Sequence, residues 1–119
     1  MSGELSFFEI GVGDAEKGRA FYGALFGWDF SDPPSGQGAT IETPNVPGGI
    51  HGDDQGGGLY VFFAVDDIDA AVERVRELGG EADAIPGDDN PENVAKFGRF
   101  MLCRDDQGSA FGLHQPPGS

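Results

Sequence analysis

The feature that most constrains this chain is an internal repeat. Residues 7–27, FFEIGVGDAEKGRAFYGALFG, lie over residues 60–80, YVFFAVDDIDAAVERVRELGG, at an offset of 53 without a gap. Phe7 falls on Tyr60, Ile10 on Phe63, Val12 on Val65, Asp14 on Asp67, Leu25 on Leu78 and Gly27 on Gly80. Each half reads as an apolar strand, an aspartate, an amphipathic helix and a terminating glycine. Asp14 and Asp67 are placed to accept from the orphan N–H groups of a first helical turn. Ile68, Ala71, Val72, Val75 and Leu78 recur at helical spacing, the stripe by which a helix lies on a sheet. Phe21, Tyr22, Leu25 and Phe26 form the corresponding stripe with larger rings. Gly27 and Gly80 suit the left-handed residue that ends a helix.

Strand-like pieces follow each helix: WDF, ATIET and GGI in the first half, GEADAI, GRFMLC and SAFGLH in the second. The turn formers DPP, TPN and DDQGS separate them. The expected class is α+β, a β-α-β-β-β module used twice, with the helices outside and curled mixed sheets around a shared cleft. Residues 1–119 then form a single domain, module one covering about 5–52 and module two about 58–115.

Composition narrows the function. Seven basic against 21 acidic residues give a formal charge of -14, a field that repels nucleic acid and anionic membrane surfaces. No apolar run approaches the roughly 20 residues of a membrane span, and no secretory leader opens the chain, so a cytoplasmic protein is expected. The single cysteine, Cys103, excludes an intramolecular disulfide and a multi-cysteine zinc site. The segment GDDQGGG (52–58) has the flexibility of a lid; without a following helix start or a lysine, and with two aspartates, it is no phosphate cradle.

The first strand carries a charge where a buried strand is expected. Alternation points Phe7, Glu9 and Gly11 one way and Phe8, Ile10 and Val12 the other. Glu9 therefore faces water, lines a cavity or binds a metal.

The repeat, with AFYGALFGWDF in the first half and YVFFAVDDIDAAVERVRELGG and CRDDQGSAFGLHQ in the second, resembles the vicinal oxygen chelate superfamily. That group includes glyoxalase I, extradiol dioxygenases and bleomycin-resistance proteins, and the likeness spans roughly residues 5 to 115. In its metal-dependent members four inward-facing side chains, usually His and Glu, hold a divalent ion. The resemblance places those positions at Phe7, at Tyr60, at Gly112 and at either Glu42 or the GGI around Gly49. Phe and Gly donate no lone pair, and Tyr replaces a neutral imidazole poorly. No metal and no other cofactor is therefore expected.

With the face of the missing ligands taken as the cavity, strand parity puts Phe7, Glu9, Tyr60, Phe62 and His114 on it, with Gly112 opening space. Such a lining suits a small apolar or aromatic molecule. Desolvated among these rings, Glu9 is expected to have a raised pKa and to serve as the acid–base residue, or else to pair with Arg99. Arg99, His51 and His114 complete the expected ligand-binding set. The first reading is a metal-independent binding protein of the glyoxalase/bleomycin-resistance type, a possible homodimer by analogy. The second is a metal-free lyase or isomerase using Glu9, and the third a metal-dependent lyase or dioxygenase with displaced ligands.

Overall fold

The computed structural model describes residues 3–32, 38–54, 58–85 and 90–118. Residues 55–57 of the expected lid, 86–89 of the acidic segment before NPEN and the two prolines of DPP lie outside the described residues. The elements run in chain order β1 (Leu5–Gly11), α1 (Ala15–Phe26), β2 (Asp29–Ser31), β3 (Ala39–Glu42) and β4 (Gly48–His51). There follow β5 (Gly58–Ala64), α2 (Ile68–Glu77), β6 (Glu81–Ala84), α3 (Pro91–Phe97), β7 (Arg99–Arg104) and β8 (Ala110–Gln115). This is the α+β class expected, with the β-α-β-β-β grammar in each half and a short α3 added in the second. Helix α3 has a local cause: Asn90 accepts from the Asn93 N–H at 3.1 Å, Pro91 opens the first turn and Glu92 sits beside the positive helix end.

The chain divides into two compact units, Phe7–Tyr60 and a second made of the residues up to Ser6 and from Val61 onward. In the first unit the strand order is β2-β3-β4-β1. Strands β1 and β4 are parallel, with Glu9 opposite Gly49 and Gly11 opposite His51; the other pairs are antiparallel. In the second unit the order is β5-β8-β7-β6. Here β5 and β8 are parallel, with Phe62 opposite Gly112 and Ala64 opposite His114. The remaining pairs are again antiparallel.

The helices start where the aspartates dictate. Asp14 accepts from the Lys17 N–H and Asp67 from the Ala70 N–H, each at 3.1 Å. Helix α1 stops at Gly27, whose φ of 71° is left-handed. Helix α2 departs from expectation: Gly79 takes the left-handed turn at φ 93°, not Gly80. Gly80 is needed for a different reason, because a Cβ there would collide with the Arg104 carbonyl and with Val75.

Ile68, Val72, Ala82, Cys103 and Leu113 form the core of the second unit, and Ile10, Ala39, Ile41 and Ile50 that of the first. Phe8 and Val12 pack against the latter, so the parity read for β1 holds. Gly18 lets α1 approach β4, since a Cβ there would lie 2.7 Å from Ile50 Cδ1. The helical stripes fare unequally. Helix α2 makes its main contacts with β6, β7 and β8, whereas the main contacts of α1 are with β4 and β2. Tyr22 reaches the first core, but Phe21, Leu25 and Phe26 stay more than half exposed, as does Leu78 at the end of α2. Among the described residues no helix is long and apolar enough to cross a membrane.

Candidate functional site

Four side chains on one face of the first unit join in a continuous hydrogen-bonded line. His51 Nδ1 donates to Glu9 Oε2 at 2.6 Å, and His51 Nε2 donates to Asp54 Oδ2 at 2.8 Å. The Tyr60 hydroxyl donates to the same Asp54 oxygen at 3.1 Å. The Glu9 hydrogen bond raises the His51 pKa to about 9; burial opposes it and Asp54 adds to it. His51 is therefore an imidazolium at neutral pH, held between two carboxylates. Asp54 is shifted below the usual carboxylate range by His51 and then by Tyr60. The site is open to solvent: the side chains of Glu9, His51 and Asp54 are 24%, 35% and 29% exposed. Among the described residues nothing donates to Glu9 Oε1 or Asp54 Oδ1, so both remain available as acceptors.

Two glycines make room for this line. A Cβ on Gly49 would run into Glu9 Oε1, and one on Gly11 would meet the Asp54 carboxylate and His51 Nε2. The strand segment EIG and the strand-plus-turn segment GGIHGDD thus encode the site together, through the parallel β1–β4 register.

The repeat gives the second unit the same backbone arrangement with different chemistry. Glu9 opposite Gly49 corresponds to Phe62 opposite Gly112, and His51 beside Gly11 corresponds to His114 beside Ala64. His114 is buried and stacks flat on Phe100, with centroids 4.4 Å apart. Its Nε2 donates to the Phe97 carbonyl at 2.7 Å, and its Nδ1 accepts from the Ser6 hydroxyl at 2.8 Å. Burial lowers its pKa, so it is neutral. Equivalent histidines therefore carry opposite charge states, decided by a carboxylate in one unit and a phenyl ring in the other.

The sequence profile of the Glyoxalase/Bleomycin resistance protein/Dioxygenase superfamily matches residues 4–113. The chain belongs to this superfamily. The anthracycline biosynthesis protein DnrV of Streptomyces peucetius is 34% identical over 132 aligned positions, which cover 93% of this chain and 46% of DnrV. A glyoxylase-like domain-containing protein of Didymella fabae is 30% identical over 92 positions, 68% of this chain and 72% of that protein. The chain thus spans about half the length of relatives such as DnrV. Among solved structures, methylmalonyl-CoA epimerase from Mycobacterium tuberculosis superposes with a TM-score of 0.62 at 20% identity. That match covers 97% of this chain and 89% of the epimerase. A protein from Bacillus halodurans superposes at 0.66 and 16% identity, covering 98% and 96%. These structural matches establish the fold alone.

Membership of the superfamily raises the question of its metal, and the side chains at the expected ligand positions do not fit one. The register settles the ambiguous position: Gly49 stands to Glu9 as Gly112 stands to Phe62, while Glu42 is exposed on β3 opposite Asp29. Phe7 is buried, and the Tyr60 hydroxyl is directed to Asp54. Gly112 opens no space, because the ring of Phe62 occupies the volume a Cβ would take. Among the described residues no group of three or more His, Cys, Asp or Glu side chains is arranged to hold a metal ion.

The expected site residues are thus sorted by their surroundings. Glu9, His51 and Tyr60 converge. Glu9 is not enclosed by rings alone, nor does it pair with Arg99: its partner is His51, and Arg99 makes two hydrogen bonds to Asp69 at 3.1 and 3.0 Å on the surface. His114 has both nitrogens engaged and offers no free edge. Phe62 is 2% exposed and meets Phe100 edge-on at 5.3 Å, so it is core. Asp54 escaped sequence reasoning because it stood in what read as a lid. The signal was present in GGIHGDD and FGLH, two G-x-H segments ending equivalent strands, only one of which is followed by acids.

Proposed function

We propose that this chain is a metal-independent small-molecule binding protein of the superfamily, with the Glu9–His51–Asp54–Tyr60 line as its recognition surface. One observation carries this reading: His51 is an imidazolium whose two N–H groups are already engaged by Glu9 and Asp54. What the line offers outward is therefore a pair of pre-oriented acceptors, Glu9 Oε1 and Asp54 Oδ1, beside the ring of Tyr60. That edge suits a small apolar or aromatic molecule bearing hydroxyl or ammonium donors. The His51 proton is held to about 9, which favours binding over turnover by an imidazole acid or base.

The unbroken line from the Tyr60 hydroxyl to Glu9 favours a second reading, a metal-free lyase or isomerase in which Glu9 exchanges a proton with substrate. The two readings separate in one experiment. Hydroxylated aromatics are screened by thermal shift and calorimetry, with anthracyclines first because the Streptomyces peucetius relative is named for their biosynthesis. Wild type and Glu9→Gln are then compared for affinity and for product by mass spectrometry. A binding protein forms no product with either, and binds Glu9→Gln more weakly because the amide oxygen that keeps the His51 bond leaves an NH2 donor where Oε1 accepted; an enzyme forms product and loses it in the variant. Stoichiometric zinc, nickel, manganese or iron in protein purified without chelator overturns metal independence.

A further inference from the structure

A second binding feature is built by the segment FGWDF where α1 turns into β2. Gly27, left-handed at φ 71°, reverses the chain so that the residues on either side of it come together. The rings of Phe26 and Trp28 then lie 4.7 Å apart between centroids, tilted by 32°. Phe26 nevertheless remains 56% exposed, an arrangement that leaves aromatic surface in water. These rings border a recess of about 410 Å³ completed by Asp29, Glu42, Thr43 and Pro44. All of these residues belong to the first unit.

The charge in this recess is unbalanced. Asp29 and Glu42 stand directly opposite each other in the antiparallel β2–β3 pair, a juxtaposition of like charges that works against the strand pairing. Among the described residues neither carboxylate has an ion pair or a hydrogen bond. The nearest cation in sequence, Arg19, lies 3.6 Å from Asp32 and over the Phe30 ring. Thr43 adds no unmet donor, since its hydroxyl donates to the Val46 carbonyl at 2.6 Å and accepts from the Asn45 N–H.

We propose that the Phe26–Trp28–Asp29–Glu42 recess binds an organic cation, an ammonium group carried on an apolar or aromatic body. The two carboxylates supply the counter-charge and lose their mutual repulsion when a cation stands between them. The two rings add aromatic surface for the same charge and an apolar surface for the attached group. A metal ion is the poorer occupant, because two carboxylates alone complete no coordination shell and Phe26, Trp28 and Pro44 beside them offer no ligand atoms. A recess of this volume accommodates a molecule the size of benzyltrimethylammonium.

Trp28 is the only tryptophan of the chain, so its fluorescence reports on this site directly. Wild-type protein is titrated with benzyltrimethylammonium chloride and, separately, with benzyl alcohol, both at constant ionic strength set with sodium chloride. The same titrations are run on Asp29→Asn/Glu42→Gln. The expected result is a saturable change in Trp28 emission with the cation, about tenfold weaker binding of the neutral alcohol, and a loss of about fivefold or more in the double variant. The variant is expected to melt no lower than wild type, because the substitution relieves repulsion. Linear, unsaturable quenching, equal binding of cation and alcohol, or unchanged affinity in a folded double variant each overturns the proposal. If the variant does not fold, the cation–alcohol comparison on wild type decides. None of these outcomes depends on the Glu9 line, which shares no residue with this recess.

Discussion

Glu9→Gln is the sharpest probe of the site. It removes the negative charge beside His51, preserves side-chain size and leaves an amide oxygen able to accept from Nδ1. A charge-assisted bond of 2.6 Å between groups exposed to this extent contributes about 1–2 kcal/mol after solvent screening. One pKa unit corresponds to about 1.4 kcal/mol, so His51 is expected to titrate about one unit lower in the variant. The effect on stability has a definite sign. The folded-state pKa of His51, about 9, lies above the unfolded value of 6.5. Its contribution is therefore complete below pH 6.5 and is lost as the pH rises through about 9. The full displacement sets a ceiling of about 3 kcal/mol, which the 35% exposure of the side chain reduces to about 1–2 kcal/mol.

The assay is favoured by composition, because the chain has two histidines and hence two ring resonances to follow by NMR against pH. One is expected near 9 and the other below 6.5, reporting His51 and His114 respectively. Thermal unfolding at pH 6.5 and 9.5 supplies the energetic counterpart, with a smaller difference in Glu9→Gln than in wild type. The reasoning is refuted if both wild-type histidines titrate near 6.5, or if Glu9→Gln leaves the higher pKa where it was.

Gly112→Ala places a methyl against the Phe62 ring and is expected to cost about 1–3 kcal/mol by urea denaturation, although the position faces no open cavity. Ser6→Ala leaves buried His114 Nδ1 without this donor; a loss of about 1–2 kcal/mol is expected, and an unchanged midpoint would show that water replaces the hydroxyl. Arg99→Ala breaks only an exposed pair with Asp69, so a stability change below about 1 kcal/mol is expected, with the His51 resonance unmoved. Buried Cys103, whose thiol is pushed up to about 11 chiefly by burial, is expected to resist a thiol reagent at pH 8 until the protein is unfolded.

Much of the architecture is local and so was readable from the chain. Asp14 and Asp67 cap helices within three residues of themselves, Gly27 ends α1 by its own φ, and alternation sends Ile10 one way and Glu9 the other. The repeat follows from the same short-range grammar written twice. Where reading failed, the cause was contact between distant segments. The α1 stripe predicted burial for Phe21, Leu25 and Phe26, yet how much sheet lies beneath a helix is not written in the helix. Gly112 looked like vacated space until the parallel register brought the Phe62 ring over it.

The histidines show the division most clearly. The sequence by itself determined that GGI and SAFGLH would be the last strands of the two halves of a duplicated module, with His51 just after the first and His114 at the end of the second. It could not say which histidine carries a charge, because that depends on what stands beside each ring. Glu9 is 42 residues from His51, and Ser6 is 108 residues from His114. Tertiary structure set a carboxylate against the first imidazole and buried the second against a phenyl ring, a hydroxyl and a carbonyl. Electrostatic energy depends on distance through space, and that choice made one repeat a polar site and the other a core.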